Sequence, residues 1–265
     1  MRAKKRFVQF YQRLSMALIK DTTFVCFDCE ATGLDTAGDR IVEVAVATFT
    51  LDGIIDSFET LIDPECPIPE ASIAIHHITQ DMIQGKPKIA DVLPQILPLI
   101  NKHPIIGHGI GFDIDLIDIA ARRANLACQI KKNLSFDTLR LARLYGESPT
   151  NSLQQLRMHF NIQEEGAHRA MNDVVVNIQV FKRLASQFKT VGQLIEALSK
   201  PIALKNMPLG KHKGRAMKEV PLDYLLWAAR QDFDQDLLFS LRSEINRRKK
   251  GDSFSQLANP FASLQ

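Results

Sequence analysis

The feature that most constrains this chain is an apolar, aromatic-rich run from Thr23 to Cys29 that ends in an acidic pair, Asp28 and Glu30. The run reads as one buried strand. Strand residues two apart share a face, so both carboxylates lie on the same side of whatever sheet the run joins. Two carboxylates at the mouth of a buried strand repel each other and lose solvation, so they need a cation or a shared proton. The following segments extend the sheet. Ile41 to Phe49 is rich in β-branched residues, and Asp52-Gly53 is a hairpin signal leading into a third strand, Ile54 to Ile62.

Beyond Pro64, Pro67 and Pro69 the pattern becomes helical at about 70–76 and 89–100. A short fourth strand, Pro104 to His108, precedes helical patterns near 112–124, 138–145, 152–159, 167–188 and 191–199. Strands first, then strand–helix alternation, predicts an α/β mixed sheet flanked by helices. Pro201 and Pro208 mark a boundary, followed by a basic turn and helices at about 221–231 and 234–249. The expected organisation is a basic lead-in over 1–20, a main domain over 21–200 and a small basic accessory region with a flexible tail over 201–265.

Hydrophobic residues at 45% and charged residues at 24% exclude a disordered or collagen-like chain. The four cysteines lack a framework spacing, no apolar run reaches membrane-spanning length, and a polar-interrupted N-terminus argues against a signal peptide. The expectation is a cytoplasmic protein with no membrane association. The formal net charge of +3 is unevenly spread: residues 1–20 carry six Lys/Arg and no acid, 21–200 carry 16 basic and 23 acidic groups, and 201–265 carry 11 basic and 7 acidic groups. An acidic centre between basic ends binds nucleic acid poorly by bulk charge, unless the central carboxylates hold metal and the ends hold phosphate.

Three ordered motifs sharpen this. Phe27-Asp28-Cys29-Glu30-Ala31-Thr32-Gly33-Leu34 resembles the first motif of the DnaQ-like 3′-to-5′ exonucleases, whose active site is Asp-Glu-Asp-Asp-His. His108-Gly109-Ile110-Gly111-Phe112-Asp113 resembles the second, which makes Asp113 the match, and His168-Arg169-Ala170-Met171-Asn172-Asp173 matches the third at every fixed position. His76-His77-Ile78-Thr79 is similar to the family's His-x-Ile-Thr segment. The resemblance covers residues 23–188 and implies a ribonuclease H-like sheet. One departure stands out: the family commonly has Asn after the histidine of the second motif, where this chain has Gly109.

The resemblance implies two Mg²⁺ or Mn²⁺ ions held by Asp28, Glu30, Asp113 and Asp173, with His168 as general base. Oxygen-only donors suit such hard cations. Thr32, Gly33 and Leu34 would receive the terminal nucleotide, Leu34 wedging between the last two bases, and His76 would be a substrate contact. The implied activity is removal of nucleotides from single-stranded DNA 3′ ends in proofreading or repair, as in the proofreading subunit of DNA polymerase III. An exoribonuclease of the same fold, or an inactive nucleic-acid-binding scaffold, are the alternatives. The chain has no room for a polymerase domain, so proofreading would require a separate polymerase chain. Gln256-Leu257-Ala258-Asn259-Pro260-Phe261 loosely resembles a sliding-clamp-binding peptide. The oligomeric state is left open.

Leu209-Gly210-Lys211-His212-Lys213-Gly214-Arg215 and Tyr224-Leu225-Leu226-Trp227 look like the tail of exonuclease X. Lys211, Lys213 and Arg215 would contact phosphate, while Tyr224 and Trp227 are expected to pack within a helical hairpin. Other residues read as structural. Asp115 and Asp118 are expected to be solvated, and Asp137 to be an N-cap. Glu43 interrupts an apolar strand, either supporting the site or sitting at an edge. Cys26 and Cys29, three apart on a strand, face opposite sides and cannot share a zinc ion.

Overall fold

The structure, a computed structural model, describes residues 14–145, 151–163 and 169–257, with 251–257 described by backbone alone. The basic residues 1–13, His168 and most of the clamp-like peptide lie outside the described residues. The chain divides into two compact units, Met1–Leu198 and Ser199–Gln265.

In the first unit, β1 (Phe24–Ala31), β2 (Ile41–Phe49), β3 (Ile54–Leu61), β4 (Ile105–Gly107) and β5 (Ser135–Asp137) form one sheet in the order β3-β2-β1-β4-β5. β1 pairs antiparallel with β2, and β2 with β3, whereas β1–β4 and β4–β5 are parallel. The antiparallel part follows from the tight turn before Gly53, and the parallel part from helical crossovers. The helices of this unit are α1 (Glu70–His76), α2 (Gln80–Ile83), α3 (Ile89–Lys102), α4 (Gly111–Arg123), α5 (Thr138–Tyr145), α6 (Leu153–His159), α7 (Ala170–Ala185) and α8 (Val191–Leu198). A mixed sheet flanked by helices is the architecture expected from the sequence; β5 is a strand beyond the four expected.

The sheet buries both faces, and the alternation along β1 assigns its residues to them. Phe24 and Cys26 enter one core with Val174, Ile178 and Phe181 of α7. Val25, Phe27 and Cys29 enter the other, with residues of α3 and α4. Cys26 and Cys29 thus lie in different cores and are free thiols. Phe24, Phe49 and Phe181 form a closed aromatic triangle with ring centroids 5.1–5.9 Å apart. A polar link locks α7 in register: Asn177 Oδ1 accepts from the Thr138 hydroxyl at 2.7 Å, and Asn177 Nδ2 donates to the Cys26 sulfur at 3.6 Å.

The second unit contains α9 (Leu222–Ala228) and α10 (Gln235–Leu257) around a small core of Met207, Met217, Val220, Leu225, Leu237 and Leu241. Among the described residues no helix is long and apolar enough to cross a membrane.

The aromatic triangle ties the second half of α7 to the sheet. Phe181→Ala is expected to destabilise the protein by about 3–5 kcal/mol, the usual range for emptying a buried phenylalanine site. A denaturant midpoint unchanged from wild type would refute this placement of α7.

Candidate active site

Continuing the alternation of Phe24 and Cys26, Asp28 and Glu30 emerge on the α7 side of β1, where the first turn of α7 presents Asp173. Each of the three offers a carboxylate oxygen, all lying within 4.8 Å of one another. The grouping joins motifs more than 140 residues apart because β1 and α7 pack along the same core. Asp113, in the first turn of α4, comes from the opposite layer. Its Oδ1 accepts a hydrogen bond from the Cys29 N–H at 3.0 Å. It stays outside the group of three, but its charge reaches Asp28.

The electrostatics show the cost of this crowding. Burial first, then the charges of Asp113, Asp173, Glu30 and Glu43, push the Asp28 carboxyl well above the usual carboxylate range. Burial, with Asp173 and Glu43, raises Glu30 to about 7. Burial raises Asp113 to about 7 against the opposing effect of the Cys29 N–H. Crowded, half-buried carboxylate oxygens that repel each other suit a divalent cation. The donor set fits Mg²⁺ or Mn²⁺, the hard cations expected from the sequence.

Glu43 resolves into a support. It lies on β2 directly across from Glu30, only 1% exposed. Its Oε1 accepts from Arg169 Nε at 2.9 Å and Nη2 at 2.6 Å, and its Oε2 accepts from the Ala170 N–H at 3.0 Å. A carboxylate from the sheet therefore caps α7 at its N-terminus, where the helix leaves backbone N–H groups unpaired. The sequence carries no local sign of this, because the cap comes from 127 residues away. His168 lies outside the described residues, but the next residue, Arg169, is anchored beside the carboxylates.

The loop after β1 is held by its own hydrogen bonds. The Thr32 hydroxyl donates to Asp39 Oδ1 at 2.8 Å and accepts from the Arg40 N–H at 3.0 Å. Asp39 Oδ2 also accepts from the Asp35 N–H at 2.8 Å. A Cβ on Gly33 would lie 2.5 Å from the Asp39 carboxylate, so this approach requires glycine. Leu34 projects from the loop with 89% of its surface exposed. His76 is buried, 2% exposed, and its Nδ1 accepts from the Ile78 N–H at 3.0 Å. His77, exposed beside it, is the histidine of this pair at the surface.

Several side chains differ from expectation or explain it. Asp118 is not solvated: it is 6% exposed and pairs with Arg122 and, at 3.7 Å, with Lys131. Asp115 pairs with Lys131 at 2.6 Å. Asp137 accepts from Leu139 N–H at 2.8 Å, as an N-cap does, and also from Gly109 N–H at 2.9 Å. Gly109 has φ +68° with open space around its missing Cβ. Asparagine tolerates that left-handed conformation better than most residues, so glycine keeps the backbone that the family's asparagine would adopt. Lys211, Lys213 and Arg215 belong to the second unit, on an exposed turn.

The comparisons with known proteins agree with this geometry. The exonuclease family profile (RNase_T) matches residues 25–181. A second profile, QSregVF_b, described as a quorum-sensing-regulated virulence factor, matches residues 196–244. The DNA polymerase III PolC-type of Clostridium perfringens is 31% identical over 198 residues, covering 71% of this chain and 13% of that protein. The Staphylococcus aureus counterpart is 32% identical over 178 residues, covering 67% and 12%. The chain thus spans about an eighth of the length of these relatives. Exonuclease X in complex with 5′-overhanging duplex DNA shares the fold at TM-score 0.52 and 24% identity, over 66% of this chain and 98% of that one. A zinc-bound Escherichia coli exonuclease I complex with single-stranded DNA does so at TM-score 0.59 and 22% identity, over 68% and 43%.

Two expectations follow. Because Glu30 and Asp113 bind protons more tightly folded than unfolded, their contribution to the stability of the metal-free protein is greatest below their ordinary ranges and is lost as pH rises from about 4 to about 7. Asp28→Asn removes one of the repelling charges, so its melting temperature in chelator should exceed that of wild type by a margin that widens over this interval. A constant margin would contradict the crowding. Separately, Arg169→Ala leaves Glu43 buried with its charge unpaired. Complete burial of both partners would make the loss roughly 3–5 kcal/mol, and the exposure of Arg169 reduces it to about 2 kcal/mol by denaturant titration. A cost below about 0.5 kcal/mol, the level of an exposed pair, would show the contact to be incidental.

Proposed function

The chain belongs to the DnaQ-like exonuclease family, and from that premise we propose that it is a metal-dependent 3′-to-5′ exonuclease acting on single-stranded DNA ends. The observation that carries the reading is the convergence of Asp28, Glu30 and Asp173 to within 4.8 Å at one end of β1. These three would hold one divalent cation, and Asp113 beside Asp28 would support a second. Bound there, two such ions stabilise the entering and leaving oxygens of a displacement at phosphorus.

The remaining roles fall to this chain's own groups. His168 is the general base, since imidazole accepts a proton near neutral pH. Glu43, through Arg169 and the Ala170 N–H, positions the residues on either side of the step from base to helix. Leu34, apolar and almost fully exposed, would wedge between the last two bases. Thr32 and Gly33 shape the loop beneath it, and the Thr32 hydroxyl is already engaged by Asp39 and Arg40. His76 supports the turn behind this loop from within the core. DNA is the preferred substrate class because the relatives are DNA polymerases by name and the fold neighbours are described bound to DNA. Proofreading beside a separate polymerase chain and docking on a sliding clamp are the partner roles consistent with this reading.

Digestion of end-labelled DNA and RNA oligomers of matched sequence tests it. The expected outcome is stepwise shortening from the 3′ end with Mg²⁺ or Mn²⁺, none with chelator, and faster loss of DNA than RNA. Asp28→Asn should retain less than about a hundredth of the wild-type rate. His168→Ala should lose roughly 10²–10⁴-fold while keeping its metal affinity. Faster RNA digestion would favour the exoribonuclease, and tight binding without cleavage the scaffold.

A further inference from the structure

The second unit carries a surface that the hydrolytic site does not use. Trp227, the only tryptophan of the chain, sits on α9 with 52% of its surface exposed. The expectation that it packs inside a hairpin is therefore not met: its neighbours Leu225 and Ala228 are fully buried, while Trp227 itself stays half exposed. Its ring lies 5.2 Å from that of Tyr224, tilted by 49°, and the Tyr224 ring lies 4.6 Å from His212, edge-on at 82°. The result is a row of three aromatic rings along one side of the unit.

The basic turn is fastened to this row. A Cβ on Gly210 would come within 2.6 Å of the Tyr224 hydroxyl, and Gly210 holds φ +72°, so both contact and conformation require glycine. Backbone bonds close the turn: Lys213 N–H to Gly210 O at 3.0 Å, Gly214 N–H to Met207 O at 2.7 Å, and Arg215 N–H to His212 O at 3.0 Å. Lys211, Lys213 and Arg215 are all exposed. A half-exposed indole and a fixed cationic turn are thus displayed on the same unit.

We propose that His212, Tyr224 and Trp227, with Lys211, Lys213 and Arg215, form a single-stranded DNA site within the second unit, where an unpaired base stacks on Trp227 and adjacent phosphates lie against the turn. Single strands expose both a π face and a phosphate at short spacing, which is the pair of features this surface complements. A duplex hides its base faces and would engage only the cations. Its residues belong to the second unit and the carboxylates to the first, and its occupancy does not require hydrolysis.

The uniqueness of Trp227 makes the test direct. Full-length protein in chelator, which prevents cleavage, is titrated with a 20-mer of thymidine while tryptophan emission and the anisotropy of a labelled strand are followed. Emission should quench in step with binding. Trp227→Ala should weaken binding about tenfold, within the roughly 5- to 150-fold range for stacking one base, and Trp227→Phe should restore most of it. Replacing Lys211 and Lys213 by Gln should flatten the slope of log K against log salt by about 0.7 for each lost phosphate contact. Binding without a change in emission, or Trp227→Ala binding as wild type does, would overturn the proposal. So would equal quenching by a sugar-phosphate strand that lacks bases, or quenching that follows protein concentration alone and so reports a second copy. An inactive enzyme in a parallel Mg²⁺ digest would count against the hydrolytic reading and leave this one standing.

Discussion

Mutual repulsion among half-buried carboxylates at the end of β1 is the constraint that the rest of the first unit is arranged to withstand. Asp28, Glu30 and Asp173 stand close together, with Asp113 acting on Asp28 from the far side of the sheet. Left alone, such groups would separate or drag water into the core. They cannot separate, because each is fixed by structure made elsewhere. Asp28 and Glu30 belong to a strand paired on both sides, by β2 and β4. Asp173 belongs to a helix clamped by the Phe24–Phe49–Phe181 triangle and by the Thr138–Asn177–Cys26 link. The apolar cores hold in place a charge arrangement that opposes folding, and a cation bound there would turn that opposition into affinity.

Glu43 shows how an additional acid can sit in the same neighbourhood and work the other way. It faces Glu30 across the β1–β2 pairing, where a like charge would be destabilising on its own. Two nitrogens of Arg169 and the Ala170 N–H instead surround its carboxylate. The acid is spent on geometry and not on cation binding, and the distinction lies in its partners.

How much of this was legible in the sequence depends on how local the determining interaction is. The period-two run to Asp28, the β-branched strand 41–49 and the Asp52-Gly53 turn were readable because each is set by neighbours along the chain. Strand β5, of three residues, left no periodicity to detect, since its identity comes from pairing with β4. Asp118 was misjudged because its burial depends on Arg122 and on Lys131 from a later segment. The cap that Glu43 places on α7 was invisible because nothing at 169–173 resembles a capping box. Trp227 was misjudged because an aromatic at helical spacing usually packs, and only the structure shows which way it turns.

The third motif contains both kinds of determinant within six residues. His168 and Asp173 carry the recognisable pattern, while Arg169 between them carries the link to Glu43. An arginine there does not alter the fixed positions of the motif, so a pattern search passes over it. Yet its ion pair and the adjacent Ala170 N–H bond are what fix the first turn of α7 to the sheet that bears Asp28 and Glu30. Asp173 lies one helical turn from that anchor. The separation between the β1 carboxylates and the α7 carboxylate is therefore set by a contact in which none of the three takes part, and any residue at 169 unable to reach Glu43 would loosen the site without changing a single ligand.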